Sequence, residues 1–234
     1  MPAPAPFDQR FSKWEELETA ISALATTKER GDAFERFADF FLRSFRVEYE
    51  LDADPEFPLG RPFREDIRSR LNLGTVDYGI DGVYQRQDGA LVAVQCKFRS
   101  HREPLTYGDL ATFWSEAYKA QYRLVFTNSA GISKVARRRS GHLAVTIEQL
   151  LDLDQAFFEA LHEYFAKDGD PYKPERYRPR PYQEDAIEAI QEGFETHDRG
   201  RLVAACGIGK TLVALWVAER QQARASCFSP PIFS

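Results

Sequence analysis

Apolar positions recur at helical spacing from Phe11 to Leu24 (Phe11, Trp14, Leu17, Ile21, Leu24), predicting a short accessory helix near the amino terminus. The pattern is stronger in GDAFERFADFFLRSF. There Phe34, Phe37, Phe41 and Phe45 share one face with Ala38 between them, and Glu35 lies at its edge in a stripe with Ala38 and Leu42. Val47 to Leu51 reads as a first short strand, and Asp52 to Gly74 as a loop carrying Pro55, Pro58 and Pro62. Val76 to Tyr84 then gathers β-branched and aromatic residues, interrupted by Gly79 and Gly82. Leu91 to Phe98 is a nearly continuous apolar run, as in a strand covered on both faces. Downstream, the pattern predicts a helix over Leu105 to Ala120 and a strand over Tyr122 to Thr127. A short basic helix follows over Ser133 to Arg139, then a strand over Leu143 to Ile147 and a helix over Glu148 to Phe165.

Two polar side chains break the run at Leu91 to Phe98: Gln95 and Lys97, on either side of Cys96. Side chains two apart on a strand share a face, so Gln95 and Lys97 point one way and Val94, Cys96 and Phe98 the other. A lysine in such a setting calls for an anion nearby, and Asp81 in the preceding strand is the obvious candidate. The turn decides whether the two meet. A two-residue Asp88-Gly89 turn would set Asp81 opposite Cys96. A three-residue Gln87-Asp88-Gly89 loop, closed by a left-handed glycine, sets it opposite Gln95. Gly89 stands at the position the longer loop requires, which predicts Asp81, Gln95 and Lys97 on one face.

An aspartate, an amide oxygen and the main-chain carbonyl of Cys96 are hard oxygen donors suited to Mg²⁺, with Lys97 placed to act on a water or on phosphate charge. The motifs Ile80-Asp81-Gly82 and Gln95-Cys96-Lys97 resemble those of the PD-(D/E)xK nuclease superfamily, in particular its Mrr-like restriction endonuclease branch; glutamine stands where the ExK form has an acid. The resemblance implies an α/β fold, a mixed sheet flanked by helices with an α-β-β-β-α-β core. It also implies a metal site of Asp81, Gln95 and the Cys96 carbonyl, and a catalytic set of Asp81, Gln95, Lys97 and Glu35, the last from the "FE" context of the first helix. The plain alternative is a hairpin with a turn aspartate and a lysine that snorkels to solvent.

Over 234 residues, 43% hydrophobic and 29% charged content describe a soluble globular chain, and the net charge of −5 leaves DNA contact to local basic patches. Arg61, Arg64, Arg68 and Arg70 are such a group, equally readable as a solvated loop. Three cysteines (Cys96, Cys206, Cys227) without metal-ligand spacing suggest a reducing compartment. No apolar run approaches membrane-spanning length, so a cytoplasmic protein is expected.

Asp168 to Pro181 is a Pro-rich basic connector. The expected organisation is therefore an accessory segment at 1–30, a nuclease-like domain at 31–167, a linker at 168–181 and an ATP-binding segment at 182–234. In this last part RLVAACGIGKTLVALWVAER reads as strand, glycine loop and helix. Gly207 and Gly209 would let the backbone wrap phosphate, Lys210 would supply charge and Thr211 would meet Mg²⁺. The AxxGxGKT form, with Gln183 upstream as an adenine-reading glutamine, resembles superfamily-two helicases. The implied motor is an incomplete RecA-like segment, as if cut from a longer nuclease–helicase. Weak ATP binding without ATPase activity is expected, because the DExx strand that positions water is missing from the sequence. The whole reads as an Mg²⁺-dependent endonuclease of restriction or phage-defence type acting on duplex DNA, working with a helicase or methyltransferase subunit. A catalytically weak DNA-binding module and an ATP-binding fragment are the alternatives.

Overall fold

The computed structural model describes residues 5–59, 61–74, 79–134, 141–167, 169–174, 179, 181–197 and 210–221, with backbone only at 182 and 210–212. The chain divides into two compact units, Met1–Pro174 and Glu175–Ser234, and the division falls inside the 168–181 connector.

In the first unit, α1 (Trp14–Ser22) leads into α2 (Thr27–Ser44). α2 begins four residues before the expected Gly31 because Thr26 and Glu29 form a capping box. The Glu29 N–H donates to Thr26 Oγ1 at 3.1 Å, and the Thr26 N–H donates back to Glu29 Oε2 at 2.8 Å. Trp14, Leu17 and Ile21 are buried in one core with Phe34, Phe37, Phe40 and Phe41, so α1 belongs to that core. α3 (Glu65–Leu71) is a helix where a loop was expected. Its arginines are used locally: Arg68 meets Glu65 at 2.9 Å, and Arg70 donates to Gln85 and to the Gly89 carbonyl at 2.9 and 3.1 Å.

The sheet contains β1 (Gly82–Gln85), β2 (Leu91–Lys97), β3 (Tyr122–Thr127) and β4 (His142–Val145) in the order β1-β2-β3-β4. β1 and β2 are antiparallel and the remaining pairs parallel, a mixed sheet. The crossover from β2 to β3 runs through α4 (Tyr107–Glu116) and a single 3₁₀ turn, as parallel pairing requires. β2 is covered on both faces. Val92 and Val94 pack toward α2, while Leu91 and Ala93 pack toward α4, with Leu110 and Phe113.

Three expectations are corrected. Val47 to Leu51 forms a turn, with Val47 exposed and only Leu51 bridging to Arg86; the Tyr49 N–H returns to the Phe45 carbonyl at 3.1 Å instead of entering a ladder. Glu148 to Phe165 is two helices, α5 (Ile147–Leu151) and α6 (Gln155–Lys167), because Asp154 caps the second: its Oδ1 accepts the Phe157 N–H at 2.8 Å. The expected strand at Val76 to Tyr84 is regular only from Gly82, and residues 75–78 lie outside the described ones, as do 135–140 of the expected basic helix.

Gly141 opens β4 at φ 70°, and a Cβ there would lie 2.3 Å from the Gln121 carbonyl oxygen. Gly89 is also left-handed, at φ 82°, but a Cβ there meets nothing among the described residues. Gly89→Ala should therefore lose about 1–2 kcal/mol from the backbone conformation alone. Gly141→Ala should lose clearly more, because main chain must move as well. Urea midpoints of the two variants check this ordering.

In the second unit, α7 (Pro181–Thr196) packs on α8 (Lys210–Arg220) through Ile187, Val213 and Val217, and Arg220 pairs with Glu184 at 2.6 Å. Among the described residues no helix is long and apolar enough to cross a membrane.

Candidate metal and nuclease site

The β1–β2 ladder pairs Gly82 with Val94 and Gln85 with Leu91. Beyond it the Arg86 N–H donates to the Ala90 carbonyl at 2.9 Å, and the Gly89 N–H to the Arg86 carbonyl at 2.8 Å. The loop is therefore the three-residue Gln87-Asp88-Gly89 form, with the expected positive φ at Gly89. The regular ladder ends at Gly82 and Val94, one residue short of Asp81 and Gln95. At Asp81 the regular pairing changes hands: its N–H donates to the Val94 carbonyl at 2.9 Å, and its carboxylate Oδ2 accepts the Cys96 N–H at 2.6 Å. A side-chain oxygen thus meets a main-chain donor of β2, which anchors the carboxylate at that strand.

Gln95 is 3% exposed on the α4 side of the sheet, where Gly79 and Thr112 lie beside it. Its Nε2 donates to the Gly79 carbonyl at 2.9 Å, which settles which end of the amide is which. The other end, Oε1, is buried and has no hydrogen-bond partner among the described residues. A buried acceptor left unsatisfied costs about 1–3 kcal/mol. Lys97 is half-buried, and among the described residues its ammonium forms no ion pair. The expectation that Asp81 neutralises it directly is corrected, since Asp81 is held on Cys96 instead.

Glu35 is half-buried on α2, the helix facing the opposite side of β2. Burial first, then Asp81 and Glu35, push the Cys96 thiol well above its ordinary range, while Lys97 pulls it down. All three proposed charged residues therefore act electrostatically on Cys96. Among the described residues no group of three or more His, Cys, Asp or Glu side chains is placed to hold a metal. The donor set available is of another kind: an anchored carboxylate, an orphaned amide oxygen and a main-chain carbonyl. It fits Mg²⁺, which takes oxygen ligands and commonly keeps several waters beside one or two carboxylates.

Thr127, Asn128 and Ser129, at the end of β3, carry no weight in the sequence motifs, yet all three are fully buried. Their signal is three polar residues in succession directly after the apolar run Leu124 to Phe126. Of the expected nucleotide-binding residues, Gln183 is buried on α7, and Lys210 and Thr211 begin α8. Gly207 and Gly209 lie outside the described residues.

Residues 63–168 match a family model described as restriction endonuclease, and residues 176–227 match one described as type III restriction enzyme, res subunit. In this order the two matches fit a restriction endonuclease domain followed by the start of a helicase-type segment. Among solved structures the chain is similar to the ATP-dependent Type ISP restriction-modification enzyme LlaBIII bound to DNA, at 22% identity and a TM-score of 0.61. The likeness covers 93% of this chain and 13% of that one, and it concerns the fold. No curated protein matches the chain.

Proposed function

We propose that the first unit is a metal-dependent endonuclease of restriction type that hydrolyses phosphodiester bonds of duplex DNA, coupled through the connector to a helicase-type segment. The matches to restriction enzymes support a restriction-type nuclease, and the DNA in the similar structure supports the substrate. The observation that carries the metal reading is Gln95 Oε1, buried and without a hydrogen-bond partner among the described residues, next to Cys96, whose N–H holds the Asp81 carboxylate. Asp81, Gln95 and the Cys96 carbonyl would hold Mg²⁺, and Glu35, on the α2 side of β2 away from Gln95, is left out of this ligand set. When bound, the ion would supply an activated water and offset charge on the phosphate.

The chain's own residues do the rest. The Cys96 N–H holds one oxygen of the Asp81 carboxylate in place. The Gly79 carbonyl orients the Gln95 amide, so its oxygen needs no rearrangement to act as a ligand. The Lys97 ammonium, two residues along β2, would orient the attacking water and stabilise the charge that grows on the phosphate. In the second unit, Gln183, Lys210 and Thr211, with Gly207 and Gly209, would take ATP. A methyltransferase or motor subunit is the corresponding partner, and the cytoplasm the corresponding compartment.

The test is nicking of supercoiled plasmid by the full chain with and without Mg²⁺, beside Asp81→Asn and Lys97→Ala. Nicking that needs the ion and is lost in both variants supports the proposal. DNA binding without cleavage would favour a docking module, and cleavage unchanged in both variants would overturn the assignment.

A further inference from the structure

β2 ends at Lys97, where its parallel pairing with β3 also ends, at Lys97↔Thr127. The chain beyond it is held by side chains. Thr127 Oγ1 donates to the Lys97 carbonyl at 2.6 Å. Asn128 then grips both polar groups of one residue: its Oδ1 accepts the Arg99 N–H at 2.7 Å, and its Nδ2 donates to the Arg99 carbonyl at 2.8 Å. One amide thus does for Arg99 what a neighbouring strand does for the residues of β2.

The grip depends on the amide lying one way round, and Glu18 of α1 fixes that. Its Oε1 accepts from Asn128 Nδ2 at 2.7 Å, and a carboxylate can only accept, so the NH₂ end must face it. Glu18 is itself held by Arg102, whose Nε donates to both carboxylate oxygens at 3.0 Å. The Glu18 side chain is 12% exposed, and Asn128 is fully buried. Glu18 lies 45 residues before the segment that matches the restriction endonuclease family, which begins at residue 63 (63 − 18 = 45).

We infer that Asn128 is a positioning residue for Lys97, and that Glu18 makes the amino-terminal helix part of the nuclease machinery. The inference rests on the nuclease reading for Lys97 but on separate contacts. Lys97 sits between two clamps, the Gln95 amide on Gly79 before it and the Thr127–Asn128 pair after it. Releasing the second clamp lets the strand end fray at the residue that carries the ammonium. A lysine displaced by an ångström loses rate, not substrate affinity.

Amide hydrogen exchange resolved by residue, together with single-turnover nicking, tests this on the full chain. In Asn128→Ala and Glu18→Ala, exchange at Arg99 should rise at least about tenfold while Val92 and Val94 keep their protection. Nicking at saturating plasmid should fall about 10- to 100-fold, the range for residues that orient first ligands, with the half-saturating plasmid concentration unchanged. Glu18→Gln keeps one acceptor for Asn128 Nδ2 but loses an acceptor for Arg102, and should fall between wild type and Glu18→Ala in both measurements. Faster Arg99 exchange with an unchanged nicking rate would overturn the inference. So would a rate loss that tracks exchange at Val92 and Val94, since that marks general destabilisation. If the wild type nicks no DNA, the nuclease reading fails on its own, and the exchange measurement still decides the clamp: unchanged Arg99 exchange in both alanine variants would refute it.

Discussion

Asp81→Asn should reduce Mg²⁺-dependent nicking by about 100- to 1,000-fold, the cost of removing one well-placed electrostatic group from an active site. The asparagine is chosen over alanine for a structural reason. Asp81 Oδ2 accepts the Cys96 N–H at 2.6 Å, and an asparagine oxygen can accept the same bond without the charge. Asp81→Ala strands that N–H beside a part-buried strand, which should also lower stability by about 1–3 kcal/mol. Both variants should lose cleavage, but only alanine should lower the melting temperature. Lys97→Ala belongs with asparagine, since its ammonium forms no ion pair among the described residues and so little stability depends on it. Its loss should reduce turnover more than DNA affinity, because the charge it meets grows in the transition state. Plasmid nicking paired with thermal melts of all three variants separates these effects.

Phe37→Ala should be the most damaging change to stability. The ring is fully buried and meets Trp14 at 5.1 Å, Phe34 at 6.2 Å, Phe126 at 6.0 Å and Phe157 at 6.1 Å between centroids. It therefore joins α1, α2, β3 and α6, and a cavity there cannot close without moving several elements. Truncation of a buried phenylalanine costs about 3–5 kcal/mol, a large share of the roughly 5–15 kcal/mol available to a typical domain. Phe45, at the carboxyl end of α2 and only partly buried, should cost less. The difference between the two urea midpoints tests whether the aromatic stripe is graded in this way.

Those aromatics were legible because their spacing is local. The same holds for the hairpin, where Asp88-Gly89 and the alternation along β2 were enough to choose between two registers. What escaped the sequence depends on distant partners. Asn128 reaches Arg99 and Glu18, 29 and 110 positions away, and no periodicity reports such a contact. Lys97 and Asp81 were paired through the hairpin register. The carboxylate's preference for the Cys96 N–H turns on how the strand leaves its ladder at Asp81, which composition does not encode. The break between α5 and α6 was missed because apolar spacing continues across it, while the single capping contact at Asp154 ends the helix. Val47 is β-branched, but it is 85% exposed and lies in a turn.

Gln95→Glu tests, without relying on activity, whether Gln95 Oε1 faces a divalent cation. A glutamate there places charge at a site 3% exposed and turns an oxygen toward the Gly79 carbonyl that Nε2 now satisfies. With a chelator present, the variant should melt well below wild type. A bound cation would offset both penalties, and at about 100 times the dissociation constant it returns roughly 2.7 kcal/mol. The measurement is the melting temperature of wild type and Gln95→Glu in EDTA and in saturating Mg²⁺. A metal at Gln95 predicts a large Mg²⁺-dependent recovery in the glutamate variant and a smaller rise in wild type; the same depressed melting temperature in both conditions would contradict it.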